Sequence, residues 1–253
     1  MKLNYTDQGA GQPVILLHGM FGSLSNLGSL ARELATVYRV ISCDLRNHGD
    51  SPHDQRMDIP SMADDIVELL DDLGLSAVSL IGHSLGGKVG MQVALNYPSR
   101  VAKLVVADIA PVAYVPRQDA ALEALRAISV LKVNNRREAD SIMAVHLPEP
   151  QTRSFLLKNL MRKSDGNYSL KINMSSISDN YGTSLVAAPV GLPYSGPTLF
   201  LKGETSAYIQ SKHHSKMAEL FPNMKLDVMN DVGHWLHSEN PVEFNRRVTD
   251  FLT

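Results

Sequence analysis

The chain has 253 residues, with 24 lysine and arginine residues against 26 aspartate and glutamate residues. This length suits one α/β domain with an insertion. The near balance of charge argues against a nucleic acid or an anionic membrane as a partner. A single cysteine, Cys43, excludes an intrachain disulfide and fits a reducing compartment. Because the sequence has neither a signal-peptide core nor an apolar run of ~18 residues, we expect a soluble, cytoplasmic protein without a membrane span.

The first part of the chain alternates short apolar runs with stretches of helical periodicity. Runs at 14–17 and 40–44 predict strands, and leucines at helical spacing predict helices over 24–37 and 60–73. Continuous apolar strands, rather than strands that alternate polar and apolar residues, are typical of a parallel sheet covered on both faces. Ligands in such folds bind at the carboxyl ends of the strands.

The stretch 77–97 contains the strongest functional signal. An apolar run ends at Gly82-His83-Ser84-Leu85-Gly86, and a helical pattern follows it up to Pro98. This G-x-S-x-G pattern between a strand and a helix is typical of a nucleophile elbow. The glycines permit a sharp turn that projects Ser84 into a cleft. The first free N–H groups of the helix, beginning with that of Leu85, could bind an oxyanion.

The alternation of strands and helices stops after a strand that ends at Asp108. The segment 112–196 shows helical periodicity and closes with a linker rich in proline and glycine. We therefore predict a core formed by 1–111 and 197–253, with 112–196 as a helical cap over the site. The sheet is predicted to resume at 198–202 and 225–229, with helices at 211–221 and 241–251.

Several motifs together resemble the α/β-hydrolase family over essentially the whole chain. They are His18-Gly19 after a strand, the elbow at Ser84, the run Asp44-Leu45-Arg46-Asn47-His48-Gly49, and Gly233-His234-Trp235 near the carboxyl terminus. The resemblance implies an α/β-hydrolase fold: a mostly parallel, doubly wound sheet with the cap inserted after the strand ending at Asp108. It also implies a second oxyanion donor, the backbone N–H of Met20, with that of Phe21 as the alternative.

A serine nucleophile needs a base within hydrogen-bonding reach, and the base needs an orienting acid. Among nine histidines, His234 is the best candidate for the base, since it lies in a loop after the last predicted strand and follows Gly233. His213 and His214 fall in a predicted helix and are expected to be exposed. Phe21, His83 and Trp235 are predicted to contact the substrate.

The identity of the acid is the least conventional prediction. Many members of the family place an aspartate after the strand that follows the cap, and here Ser206 occupies that place. A serine cannot supply the negative charge that stabilises an imidazolium. We therefore predict Asp108, at the end of the strand before the cap, which preserves the order serine, acid, histidine. Glu204 is the rival acid, and the alternative role for Asp108 is to cap its own loop.

These residues predict a serine hydrolase that cleaves carboxylic esters or thioesters through an acyl-enzyme, with acyl-CoA as one candidate substrate. The alternatives are a carbon–carbon bond hydrolase on the same scaffold and a ligand-binding signalling protein that retains the triad. The sequence has no H-E-x-x-H, C-x-x-C or G-x-G-x-x-G motif, so no metal and no cofactor are predicted. The predicted partner is a small acyl ester or thioester, and the sequence does not determine the oligomeric state.

Overall fold

A computed structural model describes residues 1–116, 119–131 and 133–253. Positions 117, 118 and 132 of the predicted cap lie outside the described residues. The strands are β1 (Tyr5–Gln8), β2 (Pro13–Leu17), β3 (Arg39–Cys43), β4 (Val78–His83), β5 (Val101–Ala107), β6 (Leu160–Arg162), β7 (Tyr168–Leu170), β8 (Thr198–Gly203) and β9 (Met224–Met229).

The helices flank the main sheet or belong to the inserted segment. They are α1 (Gly28–Leu34), α2 (Ile59–Asp72), α3 (Leu85–Asn96), α4 (Ala120–Val130), α5 (Arg136–Met143), α6 (Pro150–Leu156), α7 (Met174–Asn180), α8 (His214–Leu220), α9 (Leu236–Glu239) and α10 (Pro241–Leu252). Among the described residues, no helix is long and apolar enough to cross a membrane.

Seven strands form one sheet in the order β1-β3-β2-β4-β5-β8-β9. All neighbouring pairs are parallel except β1 and β3, as the apolar strand pattern predicts. The register pairs Leu17 with Gly82, His83 with Ala107, and Ala107 with Leu201. The carboxyl ends of β2, β4, β5 and β8 therefore meet at one edge of the sheet, which we call the catalytic edge.

Helix α3 is central to the core, because each of its residues from Leu85 to Leu95 is buried. It contacts α2 and strands β2, β4 and β5. Small residues make this close approach possible. A Cβ atom on Gly90 would lie 3.3 Å from Leu104 Cδ1, and one on Gly86 would collide with the carbonyl oxygen of Leu17.

The inserted segment, residues 112–196, differs in part from its prediction. Helices α4 to α7 agree with the helical periodicity of this segment, but the segment is not helical throughout, since Leu160 and Met161 lie in a strand. Helix α6 ends at Leu156, and the chain then forms a short antiparallel hairpin of β6 and β7. A polar run, 163–167, makes the turn between the two strands and ends the helical periodicity.

Two helices outside this segment are interrupted. The helix predicted over 24–37 divides into a 3-10 turn, Leu24–Leu27, and α1. The helix predicted over 211–221 begins as a 3-10 turn, Ser211–His213, and continues as α8. The prediction that His213 is exposed is wrong, since it is 8% exposed, because its ring packs near Tyr114.

Candidate active site

The catalytic edge brings Ser84, His234 and Asp108 together. Ser84 Oγ lies 3.1 Å from His234 Nε2, and His234 Nδ1 lies 2.7 Å from Asp108 Oδ2. With Nδ1 protonated, His234 donates to the carboxylate and can accept the proton of the serine hydroxyl. An alcohol, an imidazole and a carboxylate in this order allow a serine to act as a nucleophile.

The local backbone explains how these side chains reach one another. Ser84 and Asp108, which immediately follow β4 and β5, both have φ of +51°. Phe21 and Asp231, in loops after β2 and β9, have φ of +63° and +58°. Left-handed conformations are costly for residues with a Cβ atom and concentrate at functional sites. Here they turn the chain sharply where parallel strands end.

The Asp108 carboxylate is held by three donors. Its Oδ1 accepts from the Gly203 N–H at 3.1 Å, and its Oδ2 accepts from His234 and from the Ser206 hydroxyl. The side chain is 0% exposed. Ser206, which occupies the place where many relatives carry the acid, instead hydrogen-bonds to the acid supplied by the neighbouring strand.

The rival acid, Glu204, faces another group. Its Oε2 accepts the backbone N–H of Asp231 at 2.9 Å, which braces the loop that carries His234. The carboxylate that hydrogen-bonds to the His234 ring is that of Asp108.

Two residues that line the cavity containing Ser84 have backbone N–H groups suited to an oxyanion. Among the described residues, those of Met20 and Leu85 have no hydrogen-bond acceptor, whereas the N–H of Phe21 donates to His48 Nε2 at 3.2 Å. This difference favours Met20 over the alternative donor, Phe21. Met20 and Leu85 both line the cavity that contains Ser84.

Two buried histidines fix the loop that carries Met20. His18 Nδ1 donates to the Gly19 carbonyl at 2.8 Å, and its Nε2 accepts from the Leu45 N–H at 3.0 Å. His48 uses Nδ1 in the same way towards the Arg46 carbonyl. Burial lowers the pKa of His18 to about 4 and that of His48 to about 3. Both rings are therefore neutral at pH 7, as their acceptor roles require.

Two aromatic contacts position the imidazole of His234. The Tyr208 ring stacks on it, with centroids 4.0 Å apart and an interplanar angle of 23°. The His83 ring centroid lies 4.9 Å from that of His234, and His83 Nε2 donates to the backbone carbonyl of His234 at 2.8 Å. Burial is the largest cause that lowers the pKa of His83 well below its usual value, and the nearby imidazoles of His237 and His234 lower it further.

Ser84 opens into a cavity of about 610 Å³ between the catalytic edge and the inserted segment. Its lining is mainly apolar and includes Met20, Leu85, Ile109, Val112, Tyr114, Leu185, Val186 and Tyr208. Among the described residues, the titratable side chains of the lining are Lys88, Tyr114, Asp119, Tyr181, Tyr208, Lys212 and His213. A mainly apolar pocket with a few polar groups is typical of a small-molecule site.

The three residues predicted to contact the substrate lie elsewhere. Phe21 and His83 are buried, at 3% and 2% exposure, and Trp235 packs on Phe155 with ring centroids 4.3 Å apart. Among the described residues, the cavity lining includes none of the three. The structure thus gives no support to a substrate contact by these side chains.

Three side chains of the site were not predicted from the sequence: Ser206 as a donor to Asp108, Tyr208 as the ring stacked on His234, and Lys88 as a cavity residue. For Lys88 a signal existed, because a lysine four residues after Ser84 lies on the same face of an otherwise mostly apolar helix. Ser206 and Tyr208 depend on contacts between distant parts of the chain, which local patterns do not encode. Among the described residues, no group of three or more histidine, cysteine, aspartate or glutamate side chains is placed to hold a metal ion.

Comparison with known proteins agrees with this fold. A family model described as alpha/beta hydrolase fold matches residues 12–241. The chain belongs to this family, which confirms the predicted family and fold.

Individual relatives match over nearly the full chain. The chain is 39% identical to mouse sn-1-specific diacylglycerol lipase ABHD11, covering 100% of this chain and 85% of the relative. It is 37% identical to esterase YbfF of Escherichia coli K12, covering 100% and 99%. A solved structure of a marine microorganism esterase superposes with a TM-score of 0.94 at 38% identity, covering 99% of each chain. These similarities support a hydrolase of the esterase and lipase type.

Proposed function

We propose that this protein is a serine hydrolase that cleaves carboxylic esters or thioesters through an acyl-enzyme intermediate. The observation that carries the proposal is the continuous hydrogen-bond path from Ser84 through His234 to Asp108. The names of the relatives, an esterase and a diacylglycerol lipase, support an ester as the substrate.

In the acylation step, Ser84 Oγ attacks the carbonyl carbon while its proton passes to His234 Nε2. The N–H groups of Met20 and Leu85 hold the resulting oxyanion, which needs donors fixed in advance. When the intermediate collapses, His234 Nε2 gives the proton to the departing alcohol or thiol. Asp108 accepts the Nδ1–H throughout and stabilises the imidazolium.

In the deacylation step, water replaces the alcohol or thiol. His234 takes a proton from the water as its oxygen attacks the acyl carbon, and the second tetrahedral intermediate releases the acid. The proton returns to Ser84 Oγ, which restores the free enzyme. The same groups serve both steps, so an ester and a thioester of one acid differ only in the leaving group.

The central test is covalent labelling together with a substrate panel. Wild-type protein should react with a fluorophosphonate at Ser84 and hydrolyse members of a panel of acyl esters and acyl-CoA thioesters. Ser84→Ala should abolish labelling and lower kcat by several orders of magnitude, on the order of 10⁶ in a comparable hydrolase. Ser215→Ala, at an exposed position of α8, is the control and should behave as wild type.

Labelling that persists in Ser84→Ala would show that another residue is the nucleophile. Wild-type protein that hydrolyses no ester or thioester in the panel would contradict the proposed function. Comparison of kcat/KM for an ester and a thioester of the same acid then measures the preference between the two substrate classes.

A further inference from the structure

Lys88 is a buried cation in the wall of the cavity that contains Ser84. It is 2% exposed and lies on α3, four residues after Ser84. Residues at this spacing are neighbours on one face of a helix, with Cβ atoms about 5–6 Å apart. The Lys88 N–H donates to the Ser84 carbonyl at 3.0 Å, and both residues line the same cavity.

The other buried cations of the described residues are paired with carboxylates. Arg46 binds Asp65 with two hydrogen bonds, of 2.6 and 2.8 Å, and Arg153 binds Asp140 at 2.8 Å. Among the described residues, Lys88 makes no such pair. Buried charges are normally paired, since removing an ion from water is costly.

Lys88 has partial compensation from neutral groups. Its Nζ donates to the carbonyls of Ala187 at 2.6 Å and Leu185 at 3.3 Å, and it lies 5.0 Å from the centroid of the Tyr114 ring. An ammonium group has three donors, and among the described residues these two bonds leave one donor without an acceptor. Burial lowers the pKa of Lys88 to about 7, which is the expected response of an ammonium group without a counter-ion.

The remaining charges around the cavity do not supply that counter-ion. Asp119 accepts from the N–H groups of Ala121 and Leu122 and from the Tyr181 hydroxyl, and it caps α4. Lys212 and His213 also line the cavity and add no negative charge. The three positions outside the described residues are arginine, glutamine and lysine in the sequence.

We propose that Lys88 is the anchor of a carboxylate-binding subsite, so that the preferred substrates are esters or thioesters that carry a second, free carboxylate. This inference rests on the proposed function and adds a substrate class to it. A carboxylate would complete the third hydrogen bond of the ammonium group and neutralise its charge within the cavity. The Lys88 ammonium group offers one remaining donor and a single positive charge, which match a carboxylate better than a phosphate dianion.

The test compares charged and neutral substrates of equal chain length. Ethyl half-esters of succinic, glutaric, adipic and suberic acids are paired with ethyl butanoate, pentanoate, hexanoate and octanoate. For each pair, the preference is the ratio of the two kcat/KM values. At one chain length or more, Lys88→Met should lower this ratio at least tenfold, whereas Lys88→Arg, which keeps the charge, should retain most of it. Lys216→Met, an exposed lysine of α8, is the control.

A second arm distinguishes the two ends of the substrate. The acetate ester of 4-hydroxybutanoate is paired with butyl acetate, which places the carboxylate on the alcohol. A loss in Lys88→Met confined to this arm would assign the carboxylate to the leaving group and would still support the subsite. If Lys88→Met leaves the ratio of kcat/KM for charged over neutral substrates unchanged in both arms, the carboxylate-binding subsite is overturned.

A third measurement needs neither turnover nor a Lys88 variant. Adipic acid monoamide and hexanamide are compared as ligands of wild-type protein and of Ser84→Ala by calorimetry. The monoamide should bind at least tenfold more tightly, and equal affinities would overturn the subsite even if Lys88→Met fails to fold. Hydrolysis of neutral esters combined with equal affinities would contradict the subsite alone, whereas absence of all hydrolysis would contradict the proposed function.

Discussion

The catalytic edge and the inserted segment face each other across one cavity, but they are built differently. At the edge, Ser84 and Asp108 are fixed by unusual backbone conformations, and every oxygen of the Asp108 carboxylate has a donor. The inserted segment instead supplies apolar wall, and several of its large apolar side chains are exposed, among them Val130 and Val145 at 76% and 82%. Rigid polar geometry suits bond cleavage, whereas an adaptable apolar wall suits substrate selection.

Polar contacts connect the inserted segment to the rest of the chain at several places. Asn47, which is 0% exposed, donates to Ser176 Oγ at 3.1 Å and accepts from Asn173 at 3.0 Å. Asn159 Nδ2 donates to the Phe21 carbonyl at 2.6 Å, next to the proposed oxyanion donor. Because the proposed reacting groups lie at the edge and the segment supplies apolar wall, we expect variants at the edge to lower activity on all substrates alike, and variants in the segment to change the ratio between substrates.

Asp108→Asn should give the largest of these uniform effects. The fold should remain intact, and kcat should fall by up to ~10⁴ on short and long esters alike, because an amide does not orient the imidazole or stabilise its charge. Glu204→Gln is the matched control and should do little, since its amide oxygen can still accept from the Asp231 N–H. Steady-state kinetics of both variants measure the difference.

The reverse ranking of these two variants would overturn the assignment of the acid. The double variant Asp108→Asn/Ser206→Asp adds a further check. Because Ser206 Oγ already contacts Asp108, a carboxylate at position 206 should reach the same region and partly restore kcat.

Gly19→Val should give the next largest uniform effect. A Cβ atom at this position would lie 2.6 Å from His83 Nδ1, so the loop must move and carry the Met20 N–H away from the oxyanion. Loss of one such donor costs about 10²–10³ in kcat. Met20→Leu is the control and should keep most activity, because the donor belongs to the backbone. Equal activity in the two variants would argue against this oxyanion site.

The buried histidines predict how stability depends on pH. In the unfolded chain His18 and His48 bind protons near pH 6.5, but in the folded protein only near pH 4 and 3. Between these values the unfolded state binds more protons, so stability is full above about pH 6.5 and falls as the pH is lowered. Each such histidine contributes up to about 1.4 kcal/mol per pH unit in this window.

Denaturant unfolding between pH 4 and pH 7 measures this slope. His48→Gln removes one of these titrating groups, so the slope of the unfolding free energy against pH should fall by up to about 1.4 kcal/mol per pH unit. The amide oxygen of the glutamine can still accept from the Phe21 N–H. His146→Gln, at an exposed position of the inserted segment, is the control. If both variants show the same slope as the wild type, His48 does not contribute to the pH dependence of the unfolding free energy.

Much of the catalytic edge could be predicted because its signals are local. The strand, the glycines and the serine of the motif around Ser84 lie within a few residues of one another. The carboxyl ends of parallel strands necessarily lie at the same edge of the sheet. Even Asp108 followed from local reasoning, since Ser206 cannot carry a charge. Its role as the acid stays a prediction, but the structure places its carboxylate on His234.

The cavity could not be predicted in the same way. Which side chains line it depends on how the inserted segment folds back over the sheet, through contacts such as Lys88 with Leu185 and Ala187. The hairpin of β6 and β7 was also missed, because two strands of three residues are too short to show an alternating pattern. The sequence also does not show that Phe21, His83 and Trp235 are absent from the described lining of the cavity, because that too depends on long-range contacts.

A pair of leucine variants in the inserted segment should give the smallest effect and the sharpest contrast with the edge. Leu185 lines the cavity, whereas Leu147 is buried in the same segment, at 8% exposure, and is not part of the described lining. Each Leu→Ala change should lower stability by about 2–5 kcal/mol. Only Leu185→Ala also widens the cavity, so it should raise kcat/KM for octanoate esters relative to acetate esters, by up to about tenfold. Kinetics with both esters, together with the unfolding free energy of each variant, separate the two contributions. If both variants change the octanoate-to-acetate ratio equally, or neither changes it, the inserted segment acts only as scaffold and does not select the acyl chain.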